Sequence, residues 1–232
     1  AYTQDEELYK MIEDTVRDLL TTQEPSGRIS SNATDNELGT RDIWNRKYVM
    51  LGLESFLEIS KEEELSNQVM EALCRHADQM LTILGPKSEG KTPVVETGDW
   101  NGLSSASILE PMVNLYRMTG YQRYLDFCTE IVDVGFTRVG INLIDLAIEG
   151  EKLPSEYMTN QTKAYELTSC FEGLVEYYRV TGIEKYRTAC LNYYRLVSEN
   201  ELTVAGSGGG SGSGSDYPYP NPGGEEQWSC SG

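Results

Sequence analysis

Apolar positions recur at three- and four-residue steps over long stretches of this 232-residue chain. Ahead of Gly120 they fall at Ile108, Met112, Leu115, Tyr116 and Met118; after it they fall at Tyr124, Leu125, Cys128, Ile131 and Val132. That rhythm places one apolar stripe on a helix. Thr119-Gly120 lies between the two runs, where a glycine can take the left-handed conformation that ends a helix. The pattern therefore predicts two helices joined by a very short turn, an αα-hairpin.

The same phrase is written twice. "LYRMTGYQRYLDFC" (Leu115 to Cys128) returns as "YYRVTGIEKYRTAC" (Tyr177 to Cys190), with Tyr116/Tyr178, Arg117/Arg179, Gly120/Gly182, Tyr124/Tyr186 and Cys128/Cys190 in register. Repetition at a fixed spacing marks a repeated supersecondary unit. A fainter copy, "ESFLEISKEEEL", puts Leu57, Ser60 and Leu65 where Arg117, Gly120 and Leu125 fall, with Ser in place of Gly.

Along the whole chain the periodicity predicts seven helices. The first covers about residues 5–20, with Leu8, Met11, Ile12, Thr15, Val16 and Leu19 on one face. Two more cover about 42–59 and 62–84, and the repeated hairpins supply four, the last closing near Asn200. Two long loops are expected, "TTQEPSGRISSNATDNELGT" and "GPKSEGKTPVVETGDWNG". The middle of "VGINLIDLAIEGEKLPSEYMTNQ" reads as a short helix or an extended segment. After Val204 glycine and serine take over, then Tyr-Pro repeats. Residues 1–204 are thus expected to form a helical domain, and 205–232 a flexible tail or loop.

Composition narrows the function. A formal charge of −18 argues against nucleic acid, whose phosphates demand clustered Lys and Arg. A hydrophobic fraction of 39% suffices for a core, yet no run approaches the ~18 apolar residues of a membrane span. The opening residues carry no basic, apolar leader, and the compartment stays open. Five cysteines (Cys74, Cys128, Cys170, Cys190, Cys230) show no paired spacing, and Cys128 and Cys190 read as buried apolar thiols. Asn32-Ala33-Thr34 and Asn160-Gln161-Thr162 fit short glycosylation patterns. The sole histidine, His76, reads as a surface or boundary side chain of a helix.

Taken in order, "TTQEPSGRISS", "RDIWNRKYVMLGL", "LEPMVNLYRMTGYQRYL", "KAYELTSCFEGLVEYYRVTG" and "TVAGSGGG" resemble the β-L-arabinofuranosidase-like glycoside hydrolases. The resemblance runs from Asp5 to about Gly210. It implies an all-α fold of αα-hairpin repeats closing as an (α/α)6 toroid. Seven helices make only part of such a ring, so a piece of a longer enzyme is expected. The implied substrate is a carbohydrate, a plant-type arabinofuranoside, cleaved through an oxocarbenium-like state by an acid/base and a nucleophile. A Glu acid/base and a zinc-bound Cys nucleophile are implied; zinc keeps such a thiol deprotonated.

Residues for these roles follow from the resemblance. "GGEEQW" places Glu225 or Glu226 at the acid/base. "WSC" leaves Cys230 as a lone zinc ligand, with Trp228 where the family has Glu. Carboxylates suit sugar hydroxyls and aromatic faces suit sugar rings, which makes Asp99 with Trp100, and Asp42 with Trp44, candidate substrate contacts. Each pair lies at the start of a helix, where an acidic residue also suits the helix dipole. Glu166 and Glu172 are further candidates, six apart and so not on one helix face. Two other readings stand beside this one: an unsaturated-uronyl hydrolase, against which a single histidine counts, and a non-catalytic helical-hairpin binding scaffold.

Overall fold

The computed structural model describes residues 4–158 and 162–202. Nine α-helices form among them: α1 (Glu6–Thr21), α2 (Asp42–Ile59), α3 (Glu63–Ile83), α4 (Leu103–Ala106), α5 (Leu109–Thr119), α6 (Gln122–Asp133), α7 (Leu143–Glu149), α8 (Ala164–Thr181) and α9 (Glu184–Asn200). No strand appears among the described residues; a single bridge joins Leu84 to Thr92.

The seven expected helices are present, and two were not counted. One is α7, which settles the ambiguous segment: Asn142 caps it by accepting from the amides of Ile144 and Asp145 at 3.0 and 3.1 Å. The other is the single turn α4, too short to show a period.

The 62-residue repeat is exact in its hydrogen bonds. Gly120 donates its amide to the Tyr116 carbonyl and Gly182 to that of Tyr178, both with φ near +70°. Thr119 and Thr181 bond back to Leu115 and Tyr177, at 2.7 and 2.8 Å. Cys128 and Cys190 point their thiols at the carbonyls of Leu109 and Phe171, each at 4.0 Å. The fainter copy turns differently: Ser60 ends α2 at φ −58°, ψ 132°, an ordinary extended conformation that needs no glycine.

Helices α2, α5 and α8 open the three hairpins and stand side by side, with α5 packed most extensively on α8. Behind them lie α3, α6 and α9. The core runs between these layers through Met50, Leu53, Phe56, Leu73, Leu109, Met112, Tyr124, Phe127, Leu167 and Leu174. Front-layer helices are covered on several sides, so α2 and α8 bury most of their circumference, polar residues such as Arg46, Lys47 and Glu54 among them. On α8 and α9, Val175, Leu191 and Tyr194 remain exposed, at 40%, 51% and 70%.

This arrangement has two unlike ends. At one, the hairpins close through short turns at Ser60, Gly120 and Gly182. At the other, three long connections (22–41, 84–102 and 134–163) lead toward the N-terminal ends of α2, α5 and α8. The candidate site lies at this second end.

Candidate functional site

The loop before α2 is held by buried charge. Arg46 is fully buried and donates to Gln79 Oε1 at 2.6 Å and Glu37 Oε1 at 2.7 Å, while pairing with Asp42 Oδ2 at 3.0 Å. Arg28 donates to Glu24 at 2.7 Å and to the Asn32 carbonyl at 2.5 Å. Asp42, fully buried, accepts from Ser30 Oγ at 2.5 Å and from the Leu38 amide at 3.1 Å. Its carboxylate is therefore occupied in fastening the loop to α2. His76 lies in the same region and is fully buried, accepting from the Ile29 amide at Nδ1 (3.1 Å). Burial, reinforced by the Arg46 charge, pushes its pKa down to about 3. The expectation of a surface histidine fails because α3 presents this face to the loop rather than to water.

The loop before α5 carries Asp99 and Trp100. Trp100 and Asn101 both take left-handed backbone, φ 55° and 57°, a strained pairing for residues with side chains. Arg138 holds them there, donating its amide to the Asn101 carbonyl at 3.0 Å and Nη1 to the Gly98 carbonyl at 3.1 Å. Lys163, just ahead of α8, places Nζ 4.9 Å from the Trp100 ring centroid. Asp99 faces Arg41 at 3.8 Å, tying the second loop to the first.

From α2, Trp44 meets Tyr48 edge-on at 5.3 Å and Tyr165 of α8 at 5.5 Å. The Tyr48 and Tyr165 hydroxyls are 2.5 Å apart. Lys47 lies over the Trp44 and Tyr48 rings, Nζ at 4.9 and 5.2 Å from their centroids, and is 2% exposed. Burial lowers its pKa, opposed by electrostatic attraction from Cys170 and from the Glu110, Glu172 and Glu166 carboxyls. Glu110, in the first turn of α5, is pushed up by burial and then by Glu172. Glu166 is buried in the first turn of α8 and Glu172 is exposed, as their spacing implied.

Of the residues singled out in the sequence, the fold gathers Trp44, Glu166 and Glu172 around Lys47, and ties Asp99 and Trp100 to the adjoining loops. Asp42 alone turns into the ion cluster. Glu225, Glu226 and Cys230 lie outside the described residues. Lys47, Tyr48, Glu110 and Tyr165 escaped sequence reasoning, although a lysine within the largely apolar "IWNRKYVMLGL" was a readable signal. A separate groove of about 300 Å³ lies at the short-turn end of α2, lined by residues such as Asp5, Tyr9, Ile12, Ile59 and Lys61.

The fold is thus a wall of helical hairpins whose long loops gather aromatic rings and carboxyls at one end. The family model described as "Beta-L-arabinofuranosidase, GH127 catalytic domain" matches residues 1–230, and the chain belongs to this glycoside hydrolase family. Its fold is similar to the solved structure of the GH127 β-arabinofuranosidase BT3674, with a TM-score of 0.65 at 18% identity, over 94% of this chain. The match covers 34% of that protein, so the chain spans about a third of its length. No curated protein matches.

Proposed function

We propose that this chain acts in the hydrolysis of plant-type L-arabinofuranosides, with the sugar held at the long-loop end. Supporting this reading is one observation above all: within a family of arabinofuranosidase catalytic domains, this end alone brings Trp44, Tyr165, Glu166, Glu172 and Trp100 toward one region of the described fold. Aromatic walls with a few polar groups suit a sugar ring, the apolar faces taking its C–H surface and the carboxyls its hydroxyls. Hydrolysis then needs a proton donor at the leaving oxygen, a role that falls to Glu225 or Glu226 by resemblance. The full six-hairpin toroid belongs to the same proposal.

Zinc does not fit the described residues. Among them no group of three or more His, Cys, Asp or Glu side chains could hold a metal. Cys230 stays a proposed ligand only, and no step here depends on it.

The test is release of the phenol from an aryl β-L-arabinofuranoside by the full chain, with Glu225→Gln and Glu226→Gln beside it. Turnover that one of these variants abolishes supports the reading. No turnover by the full chain, at any pH between 4 and 8 (a span of roughly the carboxyl-to-histidine range), counts against it.

A further inference from the structure

Lys47 poses a problem that the reading above does not solve. Its side chain is 2% exposed, yet its ammonium makes no hydrogen bond or ion pair with any described residue. Other lysines of the chain find partners: Lys10 pairs with Asp14, Lys61 with Glu6, Lys87 with Glu96, Lys91 with Glu89. Two ring faces lie against Lys47, at 4.9 and 5.2 Å, and Cys170 lies within electrostatic reach as well. An ammonium so nearly buried, with no acceptor among the described residues, keeps little contact with water, a costly position that the two cation–π contacts offset only in part. Such a group is placed for an acceptor that arrives with a ligand.

The surroundings restrict that ligand. Glu110, Glu166 and Glu172 all lie within electrostatic reach of Lys47 without touching it. Glu110 and Glu172 sit where α5 and α8 approach closely, near enough for Glu172 to act electrostatically on Glu110. At Gly173 the helices are so near that a Cβ would lie 2.8 Å from the Glu110 amide nitrogen. We infer that Lys47, Glu110 and Glu172 form the polar floor of a subsite for a neutral, hydroxyl-rich sugar ring, and that this floor rejects sugars bearing a carboxylate.

The chemistry is one of matched donors and acceptors. A hydroxyl can accept from the Lys47 ammonium and donate to a carboxyl, so one sugar satisfies both kinds of group. A sugar carboxylate can pair with the single ammonium, but it then faces the three glutamates. Like charges at close range beside partly buried groups are unfavourable, a penalty against the wrong ligand as much as a gain for the right one. Trp44 and Tyr165 supply the apolar wall. This inference rests on the carbohydrate reading of the site, and it separates the arabinofuranoside from the uronyl alternative.

Calorimetric titration of the full chain with methyl β-L-arabinofuranoside and with methyl galacturonoside tests it. The neutral sugar should bind at least about tenfold more tightly than the uronate, the scale of one charged hydrogen bond. Lys47→Met should lose about tenfold or more in affinity for the neutral sugar, with Lys47→Arg recovering part of it. Glu110→Gln combined with Glu172→Gln should narrow the gap between the two sugars. Glu172 is exposed, so Glu172→Gln alone carries the comparison if Lys47→Met fails to fold. Equal binding of the two sugars, binding of neither, or a folded Lys47→Met with unchanged affinity overturns the inference. Turnover unchanged in Lys47→Met overturns it while leaving hydrolysis standing. Selective binding without turnover does the reverse.

Discussion

Gly173 of α8 lies against Glu110 of α5 with no room for a side chain between them: an added Cβ would meet the Glu110 amide nitrogen at 2.8 Å and Leu109 Cβ at 2.9 Å. The nearest atom is backbone and cannot swing aside. This contact fixes the separation of the two helices that carry Glu110, Glu166 and Glu172. Gly173→Ala should therefore destabilise the fold by about 1–3 kcal/mol, despite alanine's better helix propensity. Urea unfolding measures it, and a stabilised variant would show that the helices do not approach so closely.

The hairpin turns make a different demand. Gly120 and Gly182 have open space around the missing Cβ, but φ of +69° and +67°. Alanine at either position should cost about 1–2 kcal/mol from backbone conformation alone, and the two costs should add. Thermal melts of the single and double variants check this.

Buried charge before α2 sets the third expectation. Arg46→Met removes the partner of Asp42 and Glu37 and leaves Asp42 buried with reduced compensation. The loss should be about 3–5 kcal/mol, larger than for any exposed ion pair of the chain. Denaturant midpoints give the comparison, with Lys10→Met as the exposed reference.

Two buried groups give the fold opposite pH dependences. Glu54 is held well above the ordinary carboxylate range by burial, relieved in part by a hydrogen bond from Asn114 at 3.2 Å. The folded chain keeps this proton longer than the unfolded one, so stability is lost as pH rises through the folded value. Glu54→Gln should match the parent near pH 4 and exceed it near pH 8, on either side of the ordinary glutamate pKa of about 4.3. His76, with its pKa lowered to about 3, works the other way. Its contribution is present above the unfolded value of about 6.5 and fades as pH falls toward 3. Unfolding curves from acid to mild alkali, with and without Glu54→Gln, resolve the two.

Much of this fold could be read from the chain. The repeated Tyr-Arg-x-Thr-Gly phrase marks both hairpins because a helix that must reverse within two residues needs a left-handed stop, and glycine shows that need openly. α4 was invisible, since four residues hold no period. The candidate site was legible only in part. Trp44, Trp100, Glu166 and Glu172 stood out as residue types suited to sugars, and so did Asp42, because a carboxylate beside a tryptophan looks alike in sequence whether it faces a ligand or an arginine one helical turn away. Lys47 and Glu110 were missed because their meaning comes from three helices meeting, and no local pattern records that. His76 was misjudged for the same reason, its burial depending on a loop that follows α1.

The most direct measurement is to locate the sugar. Amide chemical shifts recorded as methyl β-L-arabinofuranoside is added to the full chain should move around Trp44, Lys47, Glu110, Tyr165 and Glu166. Shifts confined to the groove of Asp5, Tyr9, Ile59 and Lys61 at the other end of α2, or no shifts at all, would contradict a sugar site at the long-loop end.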